Sequence, residues 1–330
     1  MTVPDSLGKL RDMPYRRLGH SGLAVSVVGL GCNSFGRRID QAQTQAVVDA
    51  AIDCGITLFD TADVYGDPAG RSEEFLGAAL KANGRRDDVL IATKFGNPTG
   101  GVNGPDWNAR GSRRYITRAV ESSLRRLGTD YIDLYQIHRP DPETPIGETL
   151  SALDDLVRSG KVRYLGSSNF RGWQVADAAW TARTDHLTPF VSAQNEYSLI
   201  QRTAEADVVP ACQAYGVGML PYFPLANGLL TGRYRRDTIP TESRLSQERY
   251  KDYLAAAPWA AIEALISFAE ERGLSMVEVA IGALAAKPSV GSVIAGATSP
   301  EQVRANAAAA AWVPTPDDLA TLDSITPIAN

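Results

Sequence analysis

The feature of this sequence that most limits its possible folds is a unit that recurs along nearly the whole chain. Short apolar runs rich in β-branched residues alternate with longer amphipathic stretches, and most run starts are about 30 residues apart, the length of one βα unit. Eight strands that alternate with helices predict a parallel sheet, and eight parallel strands can close into a barrel. The sequence therefore predicts an α/β fold, a single (β/α)8 TIM barrel domain over residues 1–330. The predicted strands are Val27–Cys32, Thr57–Asp60, Val89–Lys94, Ile132–His138, Val162–Ser168, Val191–Asn195, Gly218–Tyr222 and Ser292–Ala295.

The segments between these strands carry helical patterns with stop signals. Ala42–Cys54 repeats apolar residues at helical spacing and ends before Gly55. Ser112–Leu127 and Ile146–Ser159 also end immediately before a glycine, the residue most common just past a helix. These stretches are therefore interpreted as the helices of the βα units.

Four parts of the chain depart from the repeating pattern. Residues 14–25 predict a short hairpin around His20–Gly22, and residues 1–13 a flexible N-terminal extension. Residues 96–111 form a Gly-rich loop after the third strand, and residues 224–257 a long polar insertion after the seventh. Long loops that follow barrel strands lie over the C-terminal face, where barrel active sites sit, although solvated linkers are the plainer alternative.

Charge and cysteine content narrow the class of partner. The net charge of −5 and a pI near 5.4 argue against a nucleic-acid surface, but a local arginine cluster can still bind a phosphorylated cofactor. The N-terminus lacks an apolar core of signal-peptide length, and no apolar run reaches the roughly 18 residues of a membrane span. With no CxxC or HExxH motif, neither a metal site nor a disulfide is expected. We expect a cytoplasmic protein with reduced thiols and no membrane partner; the sequence does not indicate an oligomeric state.

Three ionisable residues stand at the C-terminal ends of predicted strands. Asp60 closes TLFD, Lys94 closes VLIATK, and His138 closes IDLYQIH. Tyr65 follows in the loop after Asp60. Because these strand ends converge on one barrel mouth, we expect the four side chains to share a small, partly dry volume.

This set of side chains suits the reduction of a carbonyl group, which needs a hydride at carbon and a proton at oxygen. Tyr65 is the candidate general acid, and a nearby Lys94 cation is expected to lower its pKa from about 10. Asp60 can hold Lys94 in place, and His138 can orient the carbonyl oxygen. Each residue alone has a structural alternative: an Asp–Lys pair is more often structural, and a lone histidine can belong to the core.

The hydride must come from a cofactor, because no side chain supplies one. A Rossmann site is not indicated: after Gly29 and Gly31 the next glycine is Gly36, so G-x-G-x-x-G is not met. The alternative is an extended cofactor across the barrel mouth. Neutral groups that could bind a carboxamide, and a ring for stacking, end three further strands: Ser168, Asn169, Gln194 and Tyr222.

Eight segments, spread over roughly residues 15–312, resemble the aldo-keto reductase family in order and spacing. They are GLGCNSFG, FDTADVYG, IATKFG, DLYQIHRPD, GKVRYLGSSNF, QNEYSL, PLANGLLTGRY and IAGATSPEQVRAN. The resemblance implies a (β/α)8 barrel with an N-terminal hairpin at its bottom, and a catalytic tetrad of Asp60, Tyr65, Lys94 and His138. It also implies a nicotinamide cofactor whose carboxamide contacts Ser168, Asn169 and Gln194 and whose ring stacks on Tyr222.

The remaining cofactor contacts are implied by the same resemblance. The pocket would include Gly31 and its neighbour Cys32. The segment Pro224–Gly232 would wrap the pyrophosphate, and Gly296–Asn306 would hold the adenosine end. The residues implied within these two segments are Pro224, Leu225, Asn227, Gly228, Gly296, Thr298, Gln302 and Asn306.

The chain departs from the family pattern where cofactor preference is decided. Gly296 and Gln302 replace the lysine and arginine that grip the 2′-phosphate in the best-known mammalian members, and Phe223 stands where many members have serine. Ala305 stands where a carboxylate often faces the adenine. Arg244 matches an arginine that reaches the 2′-phosphate in some distant members. With Arg233 and Arg304 as further candidates, NADP(H) is favoured over NAD(H), which stays possible.

The substrate expected is a small carbonyl compound or alcohol. Phe35, Trp107 and Phe223 fall in or beside loops over the mouth and are candidates for an apolar pocket, although such aromatic residues more often serve packing. Two other readings stay open: a cofactor-binding regulatory subunit without turnover, and an unrelated barrel enzyme such as an isomerase or lyase.

Overall fold

A computed structural model describes residues 13–241 and 243–328. The described chain begins with the predicted hairpin, in which β1 (Tyr15–Arg17) pairs antiparallel with β2 (Ala24–Ser26). The flexible extension predicted over 1–13 lies outside the described residues except for Met13, which is buried. The hairpin prediction is confirmed.

Eight parallel strands follow, and they confirm the predicted barrel. The first seven pair in chain order, each with its neighbour along the chain, and the eighth pairs with the first. Parallel bridges from Met219 to Val290 and from Tyr222 to Ile294 join the two ends of the sheet. The strands are β3 (Val28–Gly31), β4 (Leu58–Asp60), β5 (Leu90–Phe95), β6 (Ile132–Ile137), β7 (Val162–Ser168), β8 (Phe190–Gln194), β9 (Gly218–Met219) and β10 (Val293–Gly296).

The seventh barrel strand differs most from its predicted bounds. The sequence pattern extends the seventh barrel strand to Tyr222, whereas β9 ends at Met219. Pro221 has no backbone N–H and so cannot donate a ladder hydrogen bond. Its carbonyl still accepts from Ile294 N at 2.9 Å, which keeps Tyr222 beside the sheet.

The helices surround the barrel, and the three predicted from their stop signals are present. Asp40 and Ser112 cap the N-termini of the first and third helices, and Gly128 adopts the left-handed conformation just past the third. The helices are α1 (Gln41–Asp53), α2 (Arg71–Asn83), α3 (Arg113–Leu127), α4 (Ile146–Arg158), α5 (Gly172–Thr184), α6 (Val208–Tyr215), α7 (Lys251–Ala255), α8 (Trp259–Glu271), α9 (Met276–Ala285), α10 (Pro300–Ala308) and α11 (Pro316–Ile325). None of the helices in the described ranges is long and apolar enough to cross a membrane.

The bottom of the barrel is closed by the hairpin. Leu18, Leu23 and Val25 are buried in one cluster with inward-facing strand residues, among them Leu58 and Leu134. His20 N donates to Gly216 O at 2.7 Å, which ties the hairpin turn to the start of β9. Because the lower interior is filled, access to the barrel axis is from the C-terminal face.

The insertion over 224–257 is not a plain loop. It contains short 3-10 segments and α7, and its Leu229, Leu230 and Leu245 are buried against α8 and α9. This second apolar cluster lies beside the main core between helices and strands. The insertion is therefore held over one side of the barrel mouth.

Candidate active site

A buried ion pair lies at the centre of the barrel mouth. Lys94 Nζ donates to Asp60 Oδ2 at 2.6 Å and to Thr61 O at 2.9 Å, and the Lys94 side chain has no exposed surface. Two side-chain amides, of Gln194 at 2.8 Å and Gln136 at 3.3 Å, donate to the other Asp60 oxygen. Both partners of the pair thus have the additional hydrogen bonds that a buried charge needs.

Tyr65 and His138 lie next to this pair. Lys94 Nζ is 5.0 Å from the centroid of the Tyr65 ring, and the rings of Tyr65 and His138 meet edge to face with centroids 5.8 Å apart. Gly70 N and Ser72 N both donate to Tyr65 O, which pins the loop that carries the phenol. The four predicted tetrad side chains are therefore brought together.

The protonation states differ in one respect from the sequence expectation. Burial raises the pKa of Tyr65 above 10.0, and the neighbouring Lys94 charge only partly opposes it, so the phenol is protonated at neutral pH. Burial alone would lower the pKa of Lys94, but Asp60 and Tyr65 together raise it. Burial, then the charges of Lys94 and Arg139, hold the pKa of His138 well below 6.5. The site at pH 7 thus combines a neutral phenol, a cation and a neutral imidazole.

A second polar group crosses the ends of β6, β7 and β8. Asn169 adopts a left-handed backbone conformation (φ 60°), and its amide nitrogen donates to His138 O at 2.9 Å and to Ser168 Oγ at 3.0 Å. Tyr222 OH donates to Asn169 Oδ1 at 2.8 Å. Gln194 belongs to the same layer, since Ser168 Oγ donates to the main-chain carbonyl of Gln194 at 2.9 Å. These contacts hold the predicted carboxamide-binding groups and the predicted stacking ring beside the tetrad.

A cavity of about 830 Å³ extends from the tetrad across the barrel mouth. Asp60, Tyr65 and His138 line it, while Lys94 lies behind them. All sixteen predicted cofactor residues line the same cavity: Gly31, Cys32, Ser168, Asn169, Gln194, Tyr222, Pro224, Leu225, Asn227, Gly228, Arg233, Arg244, Gly296, Thr298, Gln302 and Asn306.

Of the three predicted substrate aromatics, only Phe223 lines this cavity. Phe35 has no exposed surface and belongs to the core between helices and strands. Trp107 is 59% exposed and lies against the Arg114 guanidinium, 4.1 Å from the ring centroid. Phe35 and Trp107 were predicted from their positions in loops, and position in a loop does not determine the direction of a side chain. Phe35 and Trp107 therefore lie outside the cavity, contrary to the prediction.

The cavity also contains arginines that the sequence argument missed. Arg37, Arg38 and Arg139 line it, whereas Arg304, a sequence candidate, lies outside it beside Glu301 at 3.6 Å. Arg37 and Arg38 follow β3, and Arg139 follows β6. The rule that loops after barrel strands form the active face was the signal that could have found them.

Two features of the cavity wall suit an extended, phosphate-bearing ligand. At Gly31 an added Cβ would come within 3.4 Å of Gly296 N, so side chains on these two glycines would narrow the wall. Three non-glycine residues in the adjoining segment, Phe223, Ala226 and Asn227, have left-handed backbone conformations. Such strain concentrates at ligand-binding segments. Together with the lining arginines, which form no ion pair within the described residues, this wall is compatible with a dinucleotide.

No group of three or more potential metal ligands occurs within the described ranges. Cys32 and Cys212 are buried free thiols, and burial raises the pKa of both. Both thiols are therefore protonated at neutral pH.

Fold and site together define a barrel oxidoreductase, and comparison with known proteins identifies its family. The model of the aldo/keto reductase family matches residues 27–327, and the chain belongs to this family. Membership supports an oxidoreductase activity, and proteins of this family generally bind NAD(P)H.

The chain is similar to curated proteins over most of their length. It is 36% identical over 95% of the chain and 96% of the relative to a probable voltage-gated potassium channel subunit beta of Oryza sativa subsp. japonica. It is 35% identical to L-glyceraldehyde 3-phosphate reductase of Escherichia coli (strain K12), covering 89% of the chain and 87% of that protein. It is 38% identical to versiconal hemiacetal acetate reductase of Aspergillus parasiticus, covering 84% and 87%. Relatives at this distance include both enzymes and a channel subunit.

Proposed function

We propose that this protein reduces an aldehyde or ketone to the alcohol, reversibly, with NADPH as the hydride donor and Tyr65 as the general acid. The observation that carries the proposal is the Asp60–Lys94 pair beside Tyr65 and His138, open to a cavity lined by all the expected cofactor-binding residues. When bound in this cavity, the nicotinamide cofactor would supply the hydride for the carbonyl carbon.

The chain's own residues hold the two reactants. Asn169, Ser168 and Gln194 would bind the carboxamide, and Tyr222 would pack against the nicotinamide ring, since its hydroxyl is already held by Asn169. The arginines at the cavity wall would bind the phosphates. Phe223 lies edge to face with Tyr222, at 5.1 Å between centroids, and would border the substrate.

The tetrad moves the proton. A neutral His138 can donate one hydrogen bond to the carbonyl oxygen without carrying a charge into the site, because its pKa lies well below 6.5. Tyr65 is protonated and donates its proton to that oxygen as charge develops on it. Lys94 stabilises the resulting phenolate, and Asp60 keeps Lys94 charged and in place. In alcohol oxidation the phenolate takes the proton back.

A cofactor-binding subunit without turnover is the second candidate, supported by the 36% identity to a probable channel subunit over nearly the full chain. The tetrad contacts favour the enzyme. The deciding experiment is NADPH consumption at 340 nm with a panel of aldehydes and ketones, with NADH beside it. Turnover supports the reductase; tight NADPH binding with no turnover across the panel supports the subunit.

For the cofactor preference, Arg244→Ala is the test. Arg244 Nε donates to Tyr250 OH at 2.9 Å, which holds the guanidinium in the cavity wall. We expect NADPH to bind about 10- to 100-fold more weakly to the variant, as for a lost charge-assisted contact, and NADH to bind nearly unchanged. Arg304→Ala, outside the cavity, is the matched control and should change neither. Equal weakening of NADPH and NADH would remove Arg244 from the phosphate site.

A further inference from the structure

Five arginines line the cavity, and none of them makes an ion pair with a carboxylate of the described chain: Arg37, Arg38, Arg139, Arg233 and Arg244. Arginines elsewhere, such as Arg86, Arg126 and Arg202, do pair with carboxylates. The one carboxylate among the described lining residues, Asp60, is already bound to Lys94. The cavity therefore presents a surplus of positive charge to whatever fills it.

This surplus is divided between two regions. Burial, and then the nearby charges of Arg244 and Arg249, lower the pKa of Arg38. Arg244 belongs to the insertion, beside the proposed phosphate contacts. Arg139 lies elsewhere, directly after the tetrad residue His138 at the end of β6. Its charge acts on His138 and on Tyr222, the ring proposed to carry the nicotinamide.

Arg139 adds positive charge beside a site that already holds the Lys94 cation. Glu196, the acidic group that also acts on Tyr222, forms no ion pair with Arg139 in the described structure. A guanidinium that lines a cavity and forms no ion pair with a described carboxylate is suited to bind a phosphate or carboxylate bidentately.

We infer that Arg139 binds an anionic group on the substrate, so that the preferred substrates are short aldehydes or ketones that carry a phosphate or carboxylate near the carbonyl. The inference rests on the proposed reductase function. Arg139 and His138 are consecutive, with Cα atoms about 3.8 Å apart. Arg139 would therefore bind the anion close to the point where His138 donates a hydrogen bond to the carbonyl oxygen. Arg139 is in this account a specificity residue, since it binds substrate but takes no part in proton transfer.

The test compares matched substrates. The ratio of kcat/KM is measured for glyceraldehyde 3-phosphate against glyceraldehyde, and for succinic semialdehyde against butanal. We expect wild type to prefer at least one anionic partner by about 10- to 100-fold, the range of one charge-assisted contact. The preferred pair identifies the anion as phosphate or carboxylate. The preference should shrink as salt is added, because Arg139 is exposed to solvent.

Arg139→Gln should reduce this ratio to near one, mainly through a higher KM for the anionic substrate, and Arg139→Lys should restore part of it. The control is Arg171→Gln, an exposed arginine after the adjacent strand that does not line the cavity; it should keep the wild-type ratio. Two outcomes overturn the inference: no anionic preference in wild type, or an unchanged ratio in Arg139→Gln, whether kcat/KM is kept or is lost equally for both substrates of a pair. Absence of turnover with every aldehyde, neutral ones included, would instead contradict the reductase function itself.

Discussion

Two buried ion pairs lie on opposite faces of one strand, β5. Each joins a cation to a carboxylate, but the two pairs have different surroundings. On the inner face, Lys94 binds Asp60 at 2.6 Å. On the outer face, the preceding residue Thr93 donates to Glu73 at 2.6 Å, and the other Glu73 oxygen accepts from Arg126 at 2.7 Å. Side chains alternate along a strand, so consecutive residues serve separate sites.

The inner pair opens toward the cavity, next to Tyr65. The outer pair is enclosed between the barrel, α2 and α3, where Asn103 bridges Arg126 to the buried Asp63, accepting at 3.2 Å and donating at 2.6 Å. A second carboxyl here is crowded: burial, then the charge of Glu73, raises the pKa of Asp63 well above 3.8. Burial of an ion pair is thus no guide to catalysis by itself, and only the inner pair lies beside the cavity.

The largest expected effect comes from the phenol beside the inner pair. Tyr65→Phe should lower kcat about 10²- to 10⁴-fold, the usual contribution of a general acid, and leave NADPH binding within a few-fold. The control is Tyr135→Phe on the outer face of β6, whose buried hydroxyl has no hydrogen-bond partner among the described residues. That variant should retain its turnover and stability. Near-wild-type activity in Tyr65→Phe would show that another group donates the proton.

Removing the cation of each pair compares the two sites directly. Lys94→Met and Arg126→Met each leave a carboxylate buried without its cation, and each should cost about 3–5 kcal/mol in the free energy of unfolding, measured by urea denaturation. Only Lys94→Met should also lower kcat per folded molecule, by at least about tenfold, because only it touches Tyr65.

A solvent-exposed pair is the control for both variants. Arg113→Met breaks the ion pair with Asp155, whose side chains are 48% and 62% exposed, and should cost under about 1 kcal/mol. If Arg126→Met retained its stability but lost turnover as Lys94→Met does, the division of roles between the two faces would be wrong.

The smallest effect concerns pH. The folded state holds the pKa of His138 well below 6.5, so the unfolded state binds a proton that the folded state does not as pH falls below 6.5. Stability from this group is present above pH 6.5 and is lost on acidification by at most about 1.4 kcal/mol per pH unit. His138→Gln should lose this part of the slope in denaturation measured from pH 7 to 5. Identical slopes in both proteins would show that His138 titrates normally.

Much of the fold could be predicted because burial on both faces makes parallel strands continuous apolar runs. Those runs, together with the helices that end at a glycine, predicted all eight strands. The hairpin was predicted from its own short pattern around a turn. The tetrad could be predicted for a related reason: an ionisable residue at the end of an apolar strand has to lie at the barrel mouth. Pro221 shortened one strand, through a single missing donor rather than a change of pattern.

Directions of side chains in loops could not be predicted in the same way. Phe35 and Trp107 sit in loops over the mouth, yet one packs inward and the other lies on the surface. The direction of the pKa shift of Tyr65 could not be predicted from the sequence either. Burial raises this pKa and the Lys94 charge lowers it, so the net shift depends on distances and packing in the folded protein.

By itself, then, the sequence determined the repeating βα architecture, the family motifs and the residue types at each strand end, because these depend on periodicity and order along the chain. Only the tertiary structure decided which charges meet. It separated Lys94 from Arg126, joined Asn103 to Asp63, and placed Arg139 after His138 with no ion-pair partner among the described carboxylates. The physical reason is that electrostatic interactions depend on distance and burial in three dimensions, which residues far apart in sequence acquire only when the barrel closes.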